Sequence, residues 1–387
     1  MKKLLVTAIP IVLIVSFFLS VPNLVDRFVN GTIIKGPYNV SAPAQAFHDE
    51  LIVIDLHSDV LLSSRNILET SQVGHVDVPR LIQGNVAIQA FTVPTRFNFT
   101  TDLHNMPSDS LDLSTLGSVA QRWPVDTWFS LKARALYQAS RFDRAVTDSN
   151  GKLHSIKSKQ DLERYLVRRG QDKNVTAGFL GMEGLHPIEG DLSNIDVFYA
   201  AGFRMLAPTH FFDNEIGGSA HGVQKGGLTK LGRQAIERMK ALNITLDLSH
   251  ASQALIDDAL EMNPHPVLVS HTGVKGTCDN PRNLSDKHLK GIAATGGVIG
   301  IGFFELALCG DTLQDLVNAI RYTTDLVGVD HVGLGSDFDG LIQAPFDSSG
   351  FAVLTEALLQ DGYSHVDISK IMGGNTLRVL RHNLPDE

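Results

Sequence analysis

Eight short apolar runs, each five to eight residues long, set the tightest limit on what this chain can fold into. They are LIVIDL (51–56), VAIQAFTV (86–93), AGFLGM (177–182), FRMLAP (203–208), ITLDLS (244–249), PVLVS (266–270), GVIGIGF (297–303) and HVGLGS (331–336). Runs this short and this rich in Val, Ile and Leu fit strands buried on both faces. Helical stretches lie between them, at 228–243, 252–262 and 312–328. The first of these carries Leu228, Leu231, Ala235, Ile236, Met239 and Leu242 on one helical stripe. Strands that alternate with helices predict a parallel α/β sheet. Eight such units predict closure into a (β/α)8 TIM-type barrel, because an open sheet would leave two edges. The stretch 95–175 is too long for an ordinary loop and predicts a helical insertion, acting as a cap or a dimer surface.

The N-terminus departs from this pattern. After Lys2 and Lys3, residues 4–25 carry no charge. About 20 apolar residues span the hydrocarbon core of a bilayer, and the two lysines place the N-terminus on the cytoplasmic side. A cleaved signal peptide is the alternative, but Leu19-Ser20-Val21-Pro22 makes a poor cleavage site. The expectation is a membrane anchor over 1–25, a stalk over 26–46 broken by Gly31, Gly36, Pro37 and Pro43, and one domain over 47–387. The chain is then membrane-anchored with its domain extracytoplasmic, periplasmic or extracellular, or secreted if the segment is cleaved. An exported chain can oxidise its two cysteines, Cys278 and Cys309, which allow one intrachain pairing; two buried free thiols are the alternative. A net charge of −9 argues against a nucleic-acid partner, which requires a clustered basic surface.

The chemistry sits where the apolar runs stop. The first ends in His57-Ser58-Asp59, the third in Glu183, the fourth leads to His210, the fifth to His250, the sixth to His271 and the eighth to Asp337. In such barrels, polar residues at the C-terminal ends of strands point to function. Strand alternation puts His57 and Asp59 on one side, both able to face the barrel mouth. Histidines and carboxylates together make a donor set suited to Zn²⁺, and a carboxylate such as Glu183 can hold two metals ~3.5–4 Å apart. Each residue alone is weak evidence, and His154, His265, His288, His365 and His382 carry the ordinary structural reading. Metal-capable residues at six of eight strand ends are a different matter, because burying them unpaired is costly. Around this set, Asp247 either supports a ligand or caps a turn, and Asp339 orients loop backbone. Asn375 reads as a helix N-cap, and His186 and His221 as pocket wall.

These residues resemble the membrane (renal-type) dipeptidases from about residue 45 onward. The likeness rests on HSD (57–59), GMEGLHPI (181–188), PTHFFDNEIGGSAHG (208–222), DLSHAS (247–252), SHTGVKGTCDNPRNLSD (270–286), GLGSDFDG (333–340) and GGNTLRV (373–379). The resemblance implies a homodimeric dizinc barrel that hydrolyses dipeptides, including dehydropeptides and some with D-configured C-terminal residues. It implies that His57 and Asp59 hold one zinc, His250 and His271 the other, and that Glu183 bridges the two. By the same carry-over, His210 binds the substrate near its carbonyl oxygen, Arg282 holds the C-terminal carboxylate, Asp337 transfers the proton, and Cys278 pairs with Cys309. The chain departs from the family at Phe303-Phe304, where a tyrosine is expected. That residue's hydrogen bond to substrate would be missing. The implied mechanism is attack by a metal-activated bridging hydroxide. A related amidohydrolase acting on a lactam or lactone is the alternative enzyme, and a non-catalytic surface binding protein the alternative outside enzymes.

Overall fold

The computed structural model describes residues 26–98, 102–262 and 265–387, and every one of the eight apolar runs contains a strand. These are β1 (Val53–Ser58), β2 (Val86–Pro94), β3 (Thr176–Glu183), β4 (Phe203–Leu206), β5 (Thr245–Leu246), β6 (Leu268–Thr272), β7 (Val298–Ile301) and β8 (Val332–Leu334). Every residue in all eight is buried, which is why the runs are continuously apolar instead of alternating. All pair in parallel, in the spatial order β5-β4-β3-β2-β1-β8-β7-β6. The two ends of that path meet at a parallel bridge between Asp247 and Leu268, where the Leu248 amide donates to the Leu268 carbonyl at 2.9 Å. The result is an α/β fold whose parallel sheet curls into a TIM-like barrel.

The connecting helices cover the outside and start where the sequence signals a start. Thr229 caps the helix Lys230–Ala241, which buries Ala235, Ile236 and Met239. Thr312 and Asp315 form a reciprocal capping box at the head of Leu313–Val327. The segment 95–175 holds helices Leu113–Ala120, Leu131–Asp148 and Lys159–Gln171. It also holds a strand missed from the sequence, Leu153–Ser155, which pairs with β3. Three residues are too few to leave a periodicity. Asn375 corrects its expectation: it is the first residue of the helix Asn375–Asn383, not its cap. Its amide clasps the carbonyls of Val329 and Val332 at 2.7 and 2.8 Å.

The expected membrane placement is corrected. Among the described residues no helix is long and apolar enough to cross a membrane. Residues 4–25, on which the anchor expectation rested, lie outside the described residues. The segment 26–46 was expected as a stalk, yet parts of it pack on the barrel. Gly31–Thr32 pairs with Gln343–Ala344, and Asp26 makes a 2.7 Å ion pair with Arg65.

Candidate metal centre

Parallel strands in a barrel all deliver their C-terminal ends to one rim, so residues far apart in sequence converge there. Glu183, the last residue of β3, occupies the middle of the cluster. Its Oε1 lies 2.9 Å from His250 Nε2 and 3.5 Å from both His271 Nε2 and His57 Nε2. Its Oε2 is 3.3 Å from His210 Nε2. His57 Nε2 also faces Asp59 at 3.5 Å and Asp337 at 3.8 Å. The His250 and His271 Nε2 atoms stand 2.8 Å apart. Three overlapping groups bring one ligand atom from each member within 4.8 Å of the others: His57–Asp59–Glu183, Glu183–His250–His271 and His57–His271–Asp337. His250 and Asp337 hold left-handed backbone, with φ of 60° and 62°. That conformation strains a non-glycine residue by ~1–3 kcal/mol and persists where the surroundings enforce it.

The electrostatics of the cluster call for a cation. Burial and the neighbouring Asp59 push the Glu183 carboxyl well above its usual range. Burial likewise raises Asp337 to about 8, opposed by His57. Burial pulls the His57 imidazolium down, but Glu183, Asp59 and Asp337 prevail and raise it to about 10. His210, His250 and His271 are held well below the usual histidine value, burial being the largest cause. They therefore present neutral imidazoles. His57 Nε2 is buried and makes no hydrogen bond among the described residues, though three carboxylates surround it. Neutral imidazole nitrogens and carboxylate oxygens converging on one point, with a buried nitrogen left over, fit a divalent cation.

The cluster forms the floor of a cavity of about 400 Å³. Asp59, Glu183, His210, His250, His271 and Asp337 line it, as do Arg282 and Phe304. Arg282 is fully buried, and its guanidinium donates to the His271 carbonyl at 2.8 Å and to Thr272 Oγ1 at 3.3 Å. Burial lowers its pKa to about 10, which still leaves it charged at neutral pH. The Phe304 ring sits 6.1 Å from that of His271. Cys278 and Cys309 form a disulfide that clips the Arg282 loop to the short helix Glu305–Leu308 after Phe304. The structure thus brings together every residue singled out at the strand ends. His221 joins the cavity wall, with Nδ1 2.6 Å from the Leu103 carbonyl, whereas His186 stays outside it. Two supports escaped the sequence reading: Thr92, which donates to Asp59 at 2.6 Å, and Ser270, 2.8 Å from His57 Nδ1. Both lie inside apolar runs, where a lone hydroxyl carries no distinctive pattern.

Comparison with known proteins gives one consistent answer. Residues 41–384 match the membrane dipeptidase family, peptidase family M19. An uncharacterized protein in the pqqA 5′ region of Klebsiella pneumoniae is 30% identical over 260 residues, covering 63% of this chain and 94% of that one. An uncharacterized dipeptidase of Schizosaccharomyces pombe is 30% identical over 348 residues, covering 85% and 80%. Among solved structures, a probable dipeptidase from Pseudomonas aeruginosa superposes with a TM-score of 0.74 at 22% identity, over 88% of this chain and 98% of that one. A metallo peptidase from Rhodobacter sphaeroides, liganded with a phosphinate mimic of the dipeptide L-Ala-D-Ala, gives 0.72 at 24%, over 86% and 99%. At these identities the structural likeness concerns the fold alone.

Proposed function

The chain belongs to the membrane dipeptidase family of metallopeptidases, and from that premise we propose that it hydrolyses dipeptides with two zinc ions held at the barrel rim. One observation carries the reading: two of the metal-competent groups, His57–Asp59–Glu183 and Glu183–His250–His271, share a single carboxylate. A shared carboxylate is what a pair of ions a few ångströms apart requires. When bound, such ions polarise the scissile carbonyl and lower the pKa of water from ~15.7 toward about 7, so that hydroxide is available at neutral pH.

The remaining work falls to the chain's own side chains. His210 is neutral at neutral pH and stands beside Glu183, placed to steady the carbonyl oxygen as negative charge develops there. A donor in that role is typically worth ~2.7–4 kcal/mol. Asp337, which lines the cavity beside His57, takes the proton released by the attacking water and returns it to the leaving amine. Arg282 stays charged despite its burial and grips the free carboxylate of a short substrate in a bidentate contact. Phe304 contributes an apolar wall where a tyrosine would add a hydroxyl. The proposed assembly is a homodimer. The exposed apolar side chains of the 95–175 segment, among them Leu116, Val125 and Phe129, support a pairing face there.

The test pairs metal analysis with a kinetic panel. Purified protein should carry two zincs per chain and cleave L-L or L-D dipeptides. A preparation with both zincs that cleaves no dipeptide in a varied panel would end the proposal.

A further inference from the structure

The ligand histidines His57 and His271 belong to opposite halves of the proposed metal centre, yet their far nitrogens meet at one atom. His57 Nδ1 lies 2.8 Å from Ser270 Oγ, and His271 Nδ1 lies 3.1 Å from the same oxygen. Ser270 Oγ is 3.0 Å from Ser249 Oγ. Ser249 Oγ donates in turn to Asp247 Oδ1 at 2.8 Å. All five residues are at most 3% exposed, so solvent does not compete for these contacts.

The direction of every bond in this chain follows from its far end. Asp247 Oδ1 also accepts the backbone amides of Ser249 at 3.0 Å and Ser270 at 2.8 Å, so this oxygen acts as an acceptor throughout. Ser249 must therefore give its proton to Asp247. Its oxygen then accepts, from the His271 amide at 3.1 Å and from the Ser270 hydroxyl. With its only proton committed to Ser249, Ser270 has two lone pairs left, and two imidazole N–H groups face them. Both serines reach the full capacity of a hydroxyl, one donation and two acceptances. In their neutral form both imidazoles then carry their proton on Nδ1 and turn a bare Nε2 toward Glu183.

We infer that Ser270 is a positioning residue shared by both halves of the metal centre, fixing the tautomer of His57 and His271 through a relay that ends at Asp247. The inference rests on the two-zinc reading above and adds that the two ligand sets are coupled through a single hydroxyl. It also explains where the relay sits. Asp247 is the residue whose backbone bridge to Leu268 joins the ends of the sheet, so one residue serves the seam of the barrel with its backbone and the relay with its side chain.

The test is a chelator titration of the metal-loaded protein, following metal content by elemental analysis. Losing a partner of this kind typically weakens metal binding ~10–100-fold. Ser270→Ala is expected to release both ions at correspondingly lower chelator, Ser249→Ala to shift both by less, and Ser270→Thr, which keeps the hydroxyl, to stay near wild type. A second readout is the pair of slowly exchanging imidazole Nδ1–H proton resonances, which should vanish in Ser270→Ala and persist in Ser270→Thr. An unchanged release curve in Ser270→Ala, or one in which a single ion moves, overturns the inference. If Ser270→Ala fails to fold, Ser249→Ala decides by the same two readouts. A wild-type protein that binds no metal refutes the zinc reading instead, and the Nδ1–H resonances of the metal-free chain then still judge the relay.

Discussion

Asp337 and Asp339 stand two residues apart, both buried and both in left-handed backbone, yet their surroundings push them in opposite directions. Burial dominates at Asp337 and raises its carboxyl to about 8. Asp339 suffers the same burial, but Arg65 and His75 together, by charge and hydrogen bonds, outweigh it and the carboxyl is held below its usual value. The difference lies in what each cluster contains. Asp339 accepts the amides of His75 and Val76 at 2.9 and 3.0 Å and pairs with Arg65 at 2.5 Å. Arg65 also pairs with Asp26, and nearby Arg80 bonds Asp77 and Asp347. Each of the four carboxylates there is paired directly with a guanidinium. The rim cluster gathers Asp59, Glu183 and Asp337 around histidines, and its guanidinium, Arg282, bonds a carbonyl and a hydroxyl instead of a carboxylate. A buried ionic cluster whose carboxylates are each paired with a cation maintains a fold, whereas one whose carboxylates are not is set up to take a ligand.

The largest effect expected from breaking this contrast is at Glu183. Glu183→Gln takes a ligand from both halves at once, and at ~10²–10³ for each lost stabilising element kcat/KM should fall on the order of 10⁴-fold. The metal-free variant should nonetheless melt higher than metal-free wild type, because a repelling charge is gone. A lower melting temperature would show that the rim is self-balanced after all. Arg65→Ala, in the compensated region, should do the reverse. Leaving Asp26 and Asp339 without their cation should cost ~3–5 kcal/mol of unfolding free energy, read by denaturant titration.

The pH dependence of metal-free stability sharpens the comparison. A carboxyl raised from ~3.9 in the unfolded chain to about 8 in the fold contributes stability that is complete at low pH and is lost as pH climbs toward that upper value. Asp339 has the opposite sign: its contribution is present above ~3.9 and disappears as pH falls through its depressed folded value. The stability of metal-free wild type relative to metal-free Asp337→Asn should therefore fall between pH ~4 and about 8, the buried neutral histidines contributing equally to both. A difference that stays constant or moves in favour of wild type across the interval would contradict the assignment. The smallest change is Phe304→Tyr. Restoring a phenol beside His271 should tighten dipeptide binding by ~0.5–1.5 kcal/mol, seen in KM more than in kcat.

The sequence was most legible where one physical rule acts alone. Strands buried on both faces must be continuously apolar, so all eight runs hold strands, although ITLDLS yields only Thr245–Leu246. The rim cluster was legible because His57, Glu183 and His271 follow apolar runs at their ends, where an unpaired polar group would be expensive. Ser270 was not, since a serine within PVLVS satisfies strand patterning whether or not it holds a histidine. Nor was the tie of Asp26 to Arg65, whose partners are separated by a stretch that carries glycine and proline signals typical of a stalk. Patterns along a chain report which face is buried; they do not report who meets across it.

The Cys278–Cys309 bridge bears on how this pocket can be remodelled. Arg282 stands on one loop and Phe304 at the base of the next, with Asn280 and Asn283 adding bonds of 2.8 and 2.9 Å to the carbonyls of Leu306 and Ala307. The two walls are therefore one mechanical part, and lengthening either loop alone would drag its neighbour. An effort to reshape this side of the pocket should exchange the two loops together, with their own crosslink, and leave the rim cluster untouched.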